Sequence, residues 1–204
     1  MKAKLLTMLE LQDQMNSKVH PNWREQDFEW YRAIWTECAE LMDHYGWKWW
    51  KAQDPDIAQS QLELVDIWHF GLSILLVAEP NHEKIAEQII KQWKITKPDY
   101  AFREAIEVFA VSVLQNKTID IALFCDLMTL LDMHGDDLYR IYIGKNVLNI
   151  FRQDHGYKEG SYIKIWEGRE DNEHLVEVAA SLNVDDPDYQ AKMYKGLEAI
   201  YRRV

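Results

Sequence analysis

Apolar residues recur at helical spacing along most of this chain, and this periodicity limits the fold more than any other feature. Leu5, Met8, Leu11 and Met15 lie on one side of a first predicted helix over residues 3–17. The sequence lacks alternating β-branched runs and Asn-Gly or Asp-Gly turns, and glycine and proline stand mostly at segment ends. The sequence therefore predicts an all-α fold.

Residues that start and stop helices divide this pattern into segments. A helix start is expected near Asp54–Asp56, where an N-cap precedes the helix, and Pro80 ends that helix. Residues 154–167 are the least helical part. The predicted helices cover 3–17, about 25–50, about 54–77, 82–94, 99–115, 118–133, 136–153 and 172–182, with a last one opening at Asp186-Pro187. Without repeats or a low-complexity linker, the sequence predicts one compact helical bundle domain over residues 1–204.

The charge of the chain narrows the classes of partner. Its 204 residues carry a formal net charge of −11, which disfavours binding to nucleic acid or to an anionic membrane. A phosphorylated substrate stays compatible, because a bound divalent metal reverses the local field. The two cysteines indicate no disulfide framework, and the nearly apolar run Ile67–Ala78 is shorter than a membrane-spanning helix needs. We expect a cytoplasmic protein.

Two pairs of carboxylates are the first candidate site. Glu37 and Glu40 form one pair, Glu63 and Asp66 the other, and three-residue spacing puts each pair on one helix face. A short connection around residues 51–55 favours an antiparallel helix pair that presents four carboxylates to one place. A pair of this kind is more often an ordinary solvated helix face, so its surroundings decide between the two interpretations.

The surroundings of both acidic pairs are apolar. Asp66 opens the segment 67–76, and Glu37 follows the aromatic segment 30–35. Carboxylates in apolar helices are costly to desolvate unless they are paired or bind a metal. Four oxygen ligands without cysteine suit Mg²⁺, with Mn²⁺ as a substitute, and more than one ion is compatible with four carboxylates.

A second candidate site is basic. Lys145, Asn149 and Arg152 share a helix face, and the following loop contains Gly156 and Gly160, which let a backbone approach a ligand closely. In an acidic protein this cluster is a candidate triphosphate clamp. The alternative is a surface face whose lysines balance nearby aspartates. The further members of this cluster are Tyr157, Lys158 and Lys164.

Four segments together resemble the dimeric, all-α dUTP diphosphatase (dUTPase) family. They are LELQDQMN at 9–16, TECAELMDHYGWKWWK at 36–51, LELVDIWHF at 62–70, and KNVLNIFRQDHGYKEGSYIKIWEGREDN at 145–172. The paired acidic motifs also fit the wider all-α pyrophosphohydrolase superfamily, whereas the late segment is more specific to dUTPases. The motifs cover somewhat under half of the chain, and residues 80–135 and 175–204 show no resemblance.

The resemblance implies a role for each matching residue. Glu37, Glu40, Glu63 and Asp66 would hold Mg²⁺. The residues implied to contact or order the phosphates are Lys145, Asn149, Arg152, Tyr157, Lys158 and Lys164. Gln12 and Asn16 would read the uracil edge, because their amides both donate and accept hydrogen bonds. The residues implied to shape the nucleoside pocket are Trp49, His69, Phe70 and Asn172. The sequence does not separate Trp47 from Trp49, and it leaves core packing open for His69.

The resemblance also implies a reaction and a homodimer. Water would attack the phosphate chain of dUTP in line, with Glu37 or Glu40 as the base, giving dUMP and pyrophosphate; dUDP is also an expected substrate. A pocket too tight for a 5-methyl group would exclude dTTP, and apolar packing at the sugar would exclude UTP. Three alternatives stay open: a MazG-like pyrophosphohydrolase, a carboxylate-bridged iron protein and a non-enzymatic helical interaction protein.

Overall fold

The structure, a computed structural model, describes residues 1–96, 98–183, 186 and 188–202. Its α-helices are α1 (Lys2–Val19), α2 (Trp30–Tyr45), α3 (Ile57–Ala78), α4 (His82–Gln92), α5 (Phe102–Asn116), α6 (Ile121–Leu130), α7 (Gly135–Asp154), α8 (Asp171–Ala180) and α9 (Tyr189–Tyr201). A 3-10 turn spans Trp23–Glu25, and two short strands, β1 (Ile165–Trp166) and β2 (Arg169–Glu170), form a hairpin. Since 70% of the structure is helical, the all-α prediction is confirmed.

Several helices begin where side-chain caps satisfy backbone N–H groups. Asp56 accepts a hydrogen bond from the N–H of Gln59 at the start of α3, as the sequence predicts. Asn81 caps α4 and Asp120 caps α6 in the same way. The last helix begins at Tyr189, and Pro187, part of its predicted start, lies outside the described residues.

Helix α2 is shorter than the predicted segment 25–50. It ends at Tyr45 because Gly46 adopts a φ of +85°, a conformation that turns the chain out of the helix. The connection to α3 therefore spans residues 46–56, rather than the predicted 51–55. The Nε atom of Arg103 donates to the Gly46 carbonyl at 2.6 Å, which fixes the turn from outside.

Helices α2 and α3 pack antiparallel. The ring of Trp30, at the start of α2, lies 6.2 Å from that of Phe70, late in α3. Near the other end of α2, His44 Nε2 lies 3.5 Å from Glu63 Oε1, early in α3. The predicted antiparallel pair is therefore confirmed, and it brings the two acidic segments side by side.

Helix α3 is the core helix of the first part of the chain. Trp68 is fully buried and stacks on Phe124 of α6 with ring centroids 4.8 Å apart. Gly71 permits a close approach, since a Cβ there would stand 2.4 Å from Ile119 Cδ1. By length and composition alone α3 could cross a membrane, but 67% of its most apolar window is buried in this fold, as in an ordinary core helix.

The chain divides into two compact units, Met1–Tyr139 and Arg140–Val204. In the second unit, the rings of Phe151 and Trp166 pack at 5.7 Å in a buried aromatic cluster. The β hairpin turns at Glu167 and Gly168, both with positive φ, as a two-residue turn requires. The sequence does not predict this hairpin because it lacks the usual Asn-Gly or Asp-Gly signal. The single domain stays a prediction.

Candidate active site

Three carboxylates converge between α2 and α3. Glu37 projects from α2, while Glu63 and Asp66 share a face of α3 at a spacing of three residues. One oxygen from each side chain lies within 4.8 Å of the other two. Glu63 is buried, with 4% of its surface exposed, so solvent screens this concentration of negative charge poorly.

The electrostatics of this acidic cluster (Glu37, Glu63 and Asp66) favour a bound cation. Burial raises the pKa of Glu37 to about 9, and the charges of Asp66, Glu63 and Glu40 and a hydrogen bond with Glu63 act in the same direction. Without a cation, Glu37 therefore keeps its proton at neutral pH. A divalent ion would replace that proton and neutralise the charges that now repel one another.

Glu40 lies apart from the three converging carboxylates. It stands one helical turn beyond Glu37 on α2 and is exposed. Its charge still reaches the cluster, because it contributes to the raised pKa of Glu37. The structure thus brings three of the four predicted acidic residues together, and a ligand role for Glu40 stays a prediction.

The donor atoms suit a hard cation. All three are carboxylate oxygens, the ligands that Mg²⁺ and Mn²⁺ prefer. His69 Nδ1 donates to the Val65 carbonyl at 2.8 Å and stands 3.9 Å from Asp66 Oδ1. This nitrogen therefore directs its proton at the backbone, and the site differs from the Glu-x-x-His pairs of carboxylate-bridged iron proteins.

The two amides predicted to read a base lie together on α1. Gln12 and Asn16 are both buried, and Gln12 Nε2 donates to Asn16 Oδ1 at 3.0 Å. Both amide nitrogens also donate to the hydroxyl of Ser73 on α3, at 3.2 and 2.9 Å. Ser73 could not be predicted from the sequence, because no local spacing links residues on two different helices.

The predicted nucleoside-pocket residues of the first unit differ in exposure. His69 is buried and Phe70 half-buried on α3. Trp49 is 90% exposed in the connection after α2, with its ring edge-on to Trp50 at 5.5 Å. Trp47 is 45% exposed and donates through Nε1 to Asp43 Oδ1 at 3.0 Å. A hydrogen bond to Asp43 therefore holds Trp47, whereas Trp49 is almost fully exposed.

In the second unit Lys145 is buried, with 1% of its surface exposed. Its Nζ donates to Asn172 Oδ1 at 3.1 Å. This excludes the alternative that Lys145 belongs to an ordinary surface face. It also links Asn172, predicted for the nucleoside pocket, to a residue predicted for the phosphates.

Arg152 is held by a carboxylate that the sequence analysis did not single out. Its Nε and Nη2 atoms donate to the two oxygens of Asp171, each at 2.8 Å, and Nη1 donates to Asn149 Oδ1 at 3.3 Å. The Tyr162 hydroxyl also donates to Asp171, at 2.8 Å. The guanidinium is therefore fixed in a bidentate fork before any ligand binds.

The charge of Asp171 is stable in spite of its burial. Burial alone would raise the pKa of this carboxyl, but hydrogen bonds and charge from Arg152, the Tyr162 hydroxyl and the charge of Lys145 hold the pKa below its usual value. Asp171 is fully buried. It lies inside the family-like segment 145–172, and its place next to Asn172 was the one signal that could have identified it.

The remaining predicted phosphate residues are exposed. Tyr157 is 50% exposed in the loop after α7, and the Arg152 guanidinium lies 5.9 Å from its ring. Lys158 is exposed in the same loop. Lys164 pairs with Glu170 across the base of the hairpin at 3.1 Å. These side chains can move to a ligand at little cost, in contrast to Lys145 and Arg152.

Comparison with known proteins identifies one family. A family model described as dUTPase matches residues 4–157, which is more than half of the chain. The match includes α2 and α3 with the four candidate acidic residues, and it includes the part of the basic cluster that precedes Lys158. A search among curated proteins finds no match.

Proposed function

The chain belongs to the dUTPase family, and we propose that it hydrolyses dUTP to dUMP and pyrophosphate with Mg²⁺ bound by α2 and α3. The convergence of oxygens from Glu37, Glu63 and Asp66 within 4.8 Å carries the proposal. We extend it to dUDP, which presents the same base, sugar and first two phosphates.

The three converging carboxylates are the proposed Mg²⁺ ligands. When bound, Mg²⁺ would neutralise charge on the phosphates and make water a better nucleophile. Glu37 would exchange its proton for the ion, and His44, whose Nε2 lies 3.5 Å from Glu63 Oε1, would support that ligand. Mn²⁺, with the same preference for oxygen, would substitute.

Glu40 is the better candidate for the base. Glu37 belongs to the group of ligands, whereas Glu40 is exposed one turn away on the same helix. An exposed carboxylate on the face next to the ligands can accept a proton from attacking water. Its negative charge also adds to the field that retains the cation.

The basic residues of the second unit are the proposed phosphate contacts. Lys145 and Arg152 are already held by Asn172 and Asp171, so they lose little conformational freedom when a phosphate binds. Asn149 orders the Arg152 guanidinium. Tyr157, Lys158 and Lys164 are exposed and adjust to the phosphate chain.

Recognition of the nucleoside is assigned to the residues that the family resemblance implies. Gln12 and Asn16 would read the uracil edge, and His69 and Phe70 would line the base and sugar. Exposed Trp49 and buried Asn172 complete the proposed set. Exclusion of dTTP must be steric, since one methyl group contributes only about 1–3 kcal/mol by attraction.

Pyrophosphate release from dUTP, dTTP, dCTP and UTP, measured with Mg²⁺ and with EDTA, tests the proposal. We expect rapid release from dUTP alone, and none in EDTA. Rapid release from another nucleotide would contradict the uracil pocket. Release that persists in EDTA would contradict the metal site. The homodimer, a further expectation, is tested by sedimentation of the same sample.

A further inference from the structure

Ser73 stands at the centre of a buried polar cluster between α1 and α3. It is fully buried, and Gln12 and Asn16 beside it are 4% and 6% exposed. Its Oγ accepts from Asn16 Nδ2 at 2.9 Å and from Gln12 Nε2 at 3.2 Å. The same Oγ donates to the main-chain carbonyl of His69 at 3.0 Å.

These contacts use the full hydrogen-bonding capacity of one hydroxyl. A serine has one hydrogen and two lone pairs, and here the hydrogen is committed to His69 O. Ser73 can therefore only accept from the amides. An amide that turned its oxygen towards Ser73 would place two acceptors face to face, so the nitrogen side of each amide is selected.

This selection fixes what Asn16 can offer to a base. Among the described residues, Asn16 gives one N–H to Ser73 and accepts one hydrogen bond at Oδ1 from Gln12. An amide has two N–H groups and two lone pairs on its oxygen. Asn16 thus retains one donor and one acceptor in a fixed order.

That fixed order distinguishes uracil from cytosine. Uracil pairs with an amide through its N3–H donor and O4 acceptor, whereas cytosine offers an N3 acceptor and an N4 amino donor. The two patterns are reversed, so an amide that fits one must flip to fit the other. Thymine has the same edge as uracil and is not distinguished in this way.

We propose that Ser73 is a specificity-determining positioning residue, which locks the Asn16 amide in the orientation that accepts uracil and rejects cytosine. The inference rests on the proposed function, because it needs Asn16 to read the base. The place of Ser73 on α3 agrees with this role. It follows Asp66 by two helical turns, about 10 Å along the axis, which leaves room for a sugar between base and phosphates.

The test compares kcat/KM for dUTP, dCTP and dTTP in Ser73→Ala. Without the hydroxyl only the hydrogen bond from Gln12 orients the Asn16 amide, so a flip costs less and the dUTP:dCTP ratio should fall about ten- to a hundredfold. The dUTP:dTTP ratio should stay at the wild-type value, because both bases present the same edge. If Ser73 had only a structural role, kcat/KM would fall by the same factor for all three substrates.

Ser60→Ala is the matched control. Ser60 is also fully buried on α3 and donates to the carbonyl four residues earlier, Asp56 O, at 2.7 Å. We expect Ser60→Ala to leave both substrate ratios unchanged. Should Ser73→Ala fail to fold, Ser73→Cys fills the same position with a slightly larger thiol, whose weak acceptor should still lower the dUTP:dCTP ratio.

The outcomes separate the inference from the proposed function. If the wild-type protein releases no pyrophosphate from dUTP, the proposed function fails. If the wild type is selective for dUTP and a folded Ser73 variant keeps the wild-type dUTP:dCTP ratio, the function stands and the role of Ser73 is overturned. Equal losses on dUTP, dCTP and dTTP would overturn it as well.

Discussion

The acidic cluster of the first unit and the basic cluster of the second unit differ in whether the protein itself supplies a partner of opposite charge. In the acidic cluster three carboxylates face one another, and burial and mutual repulsion raise the pKa of Glu37 to about 9. In the basic cluster Arg152 is paired through two hydrogen bonds with Asp171. The first cluster would therefore gain from an external cation, whereas the second has its charges paired before a ligand arrives.

Because of this difference, ligand binding should change the stability of the two clusters to different extents. A site that holds like charges together is less stable than its neutral counterpart and gains stability when its ligand binds. A site whose charges are paired internally contributes to the fold and loses little conformational freedom on binding. Substitutions in the two clusters should therefore change stability in opposite directions.

Glu37→Gln should have the largest effect on activity. Glutamine has the shape of the protonated glutamate, so the fold should persist, but the variant cannot exchange a proton for a cation. We expect kcat/KM for dUTP to fall below detection, since even residues behind a metal ligand contribute about 10–100-fold. In EDTA above pH 9, the variant should unfold at a higher temperature than the wild type. If the variant unfolded at a lower temperature than the wild type under these conditions, the proposed repulsion within the acidic cluster would be contradicted.

Glu40→Gln should reduce turnover by about 10²–10⁴-fold, the usual contribution of a general base. Because Glu40 is exposed, the unfolding temperature in EDTA should hardly change. Glu10→Gln, at an exposed glutamate of α1, is the control and should leave both quantities at their wild-type values. Steady-state kinetics with thermal unfolding checks this, and full activity of Glu40→Gln would remove Glu40 from the reaction.

Asp171→Asn should destabilise the protein, in contrast to Glu37→Gln. It leaves the guanidinium of Arg152, 13% exposed, with an incomplete partner. Breaking such a pair costs about 3 kcal/mol. This corresponds to a decrease in unfolding temperature of roughly 6–12 °C. Glu177→Gln, which breaks the exposed Arg169–Glu177 pair, is the control and should have little effect. Equal effects of the two variants would show that burial does not distinguish these ion pairs.

The smallest expected effect is a pH dependence of metal stabilisation. The Glu37 pKa rises from 4.5 to about 9 on folding without metal, so the folded state binds the extra proton. Its contribution to stability is fully present below about pH 4.5 and is lost as pH rises towards 9. The difference in unfolding temperature between Mg²⁺ and EDTA should therefore increase from pH 5 to pH 9. A difference that is constant with pH would contradict this account of Glu37.

The sequence predicts the helices well where a local signal marks their ends. Asp56 and Pro80 bracket α3 as expected, since caps and prolines act within one turn. The predicted end of α2 was wrong by five residues, because the aromatic segment after Gly46 continues the helical pattern although the glycine stops the helix. The Glu167–Gly168 turn was missed for lack of a specific turn signal.

In the candidate site, too, the residues that share a local pattern could be predicted and their tertiary partners could not. Spacing alone pairs Glu63 with Asp66, and the antiparallel helices bring Glu37 to them. Ser73 and Asp171 act on residues far away in the chain, so no spacing pattern indicates Ser73, and only the neighbouring Asn172 points to Asp171. Sequence periodicity predicts which side chains share a face, whereas the hydrogen bonds that orient them depend on tertiary packing.

A cation site at the acidic cluster can be tested by calorimetric titration of Mg²⁺ at pH 8 in two buffers of different ionisation enthalpy. With the Glu37 pKa at about 9, binding should release close to one proton per site, so the measured heat should depend on the buffer. In Glu37→Gln this dependence should vanish together with tight binding. Wild-type binding with the same heat in both buffers, or equal binding by Glu37→Gln, would contradict the account.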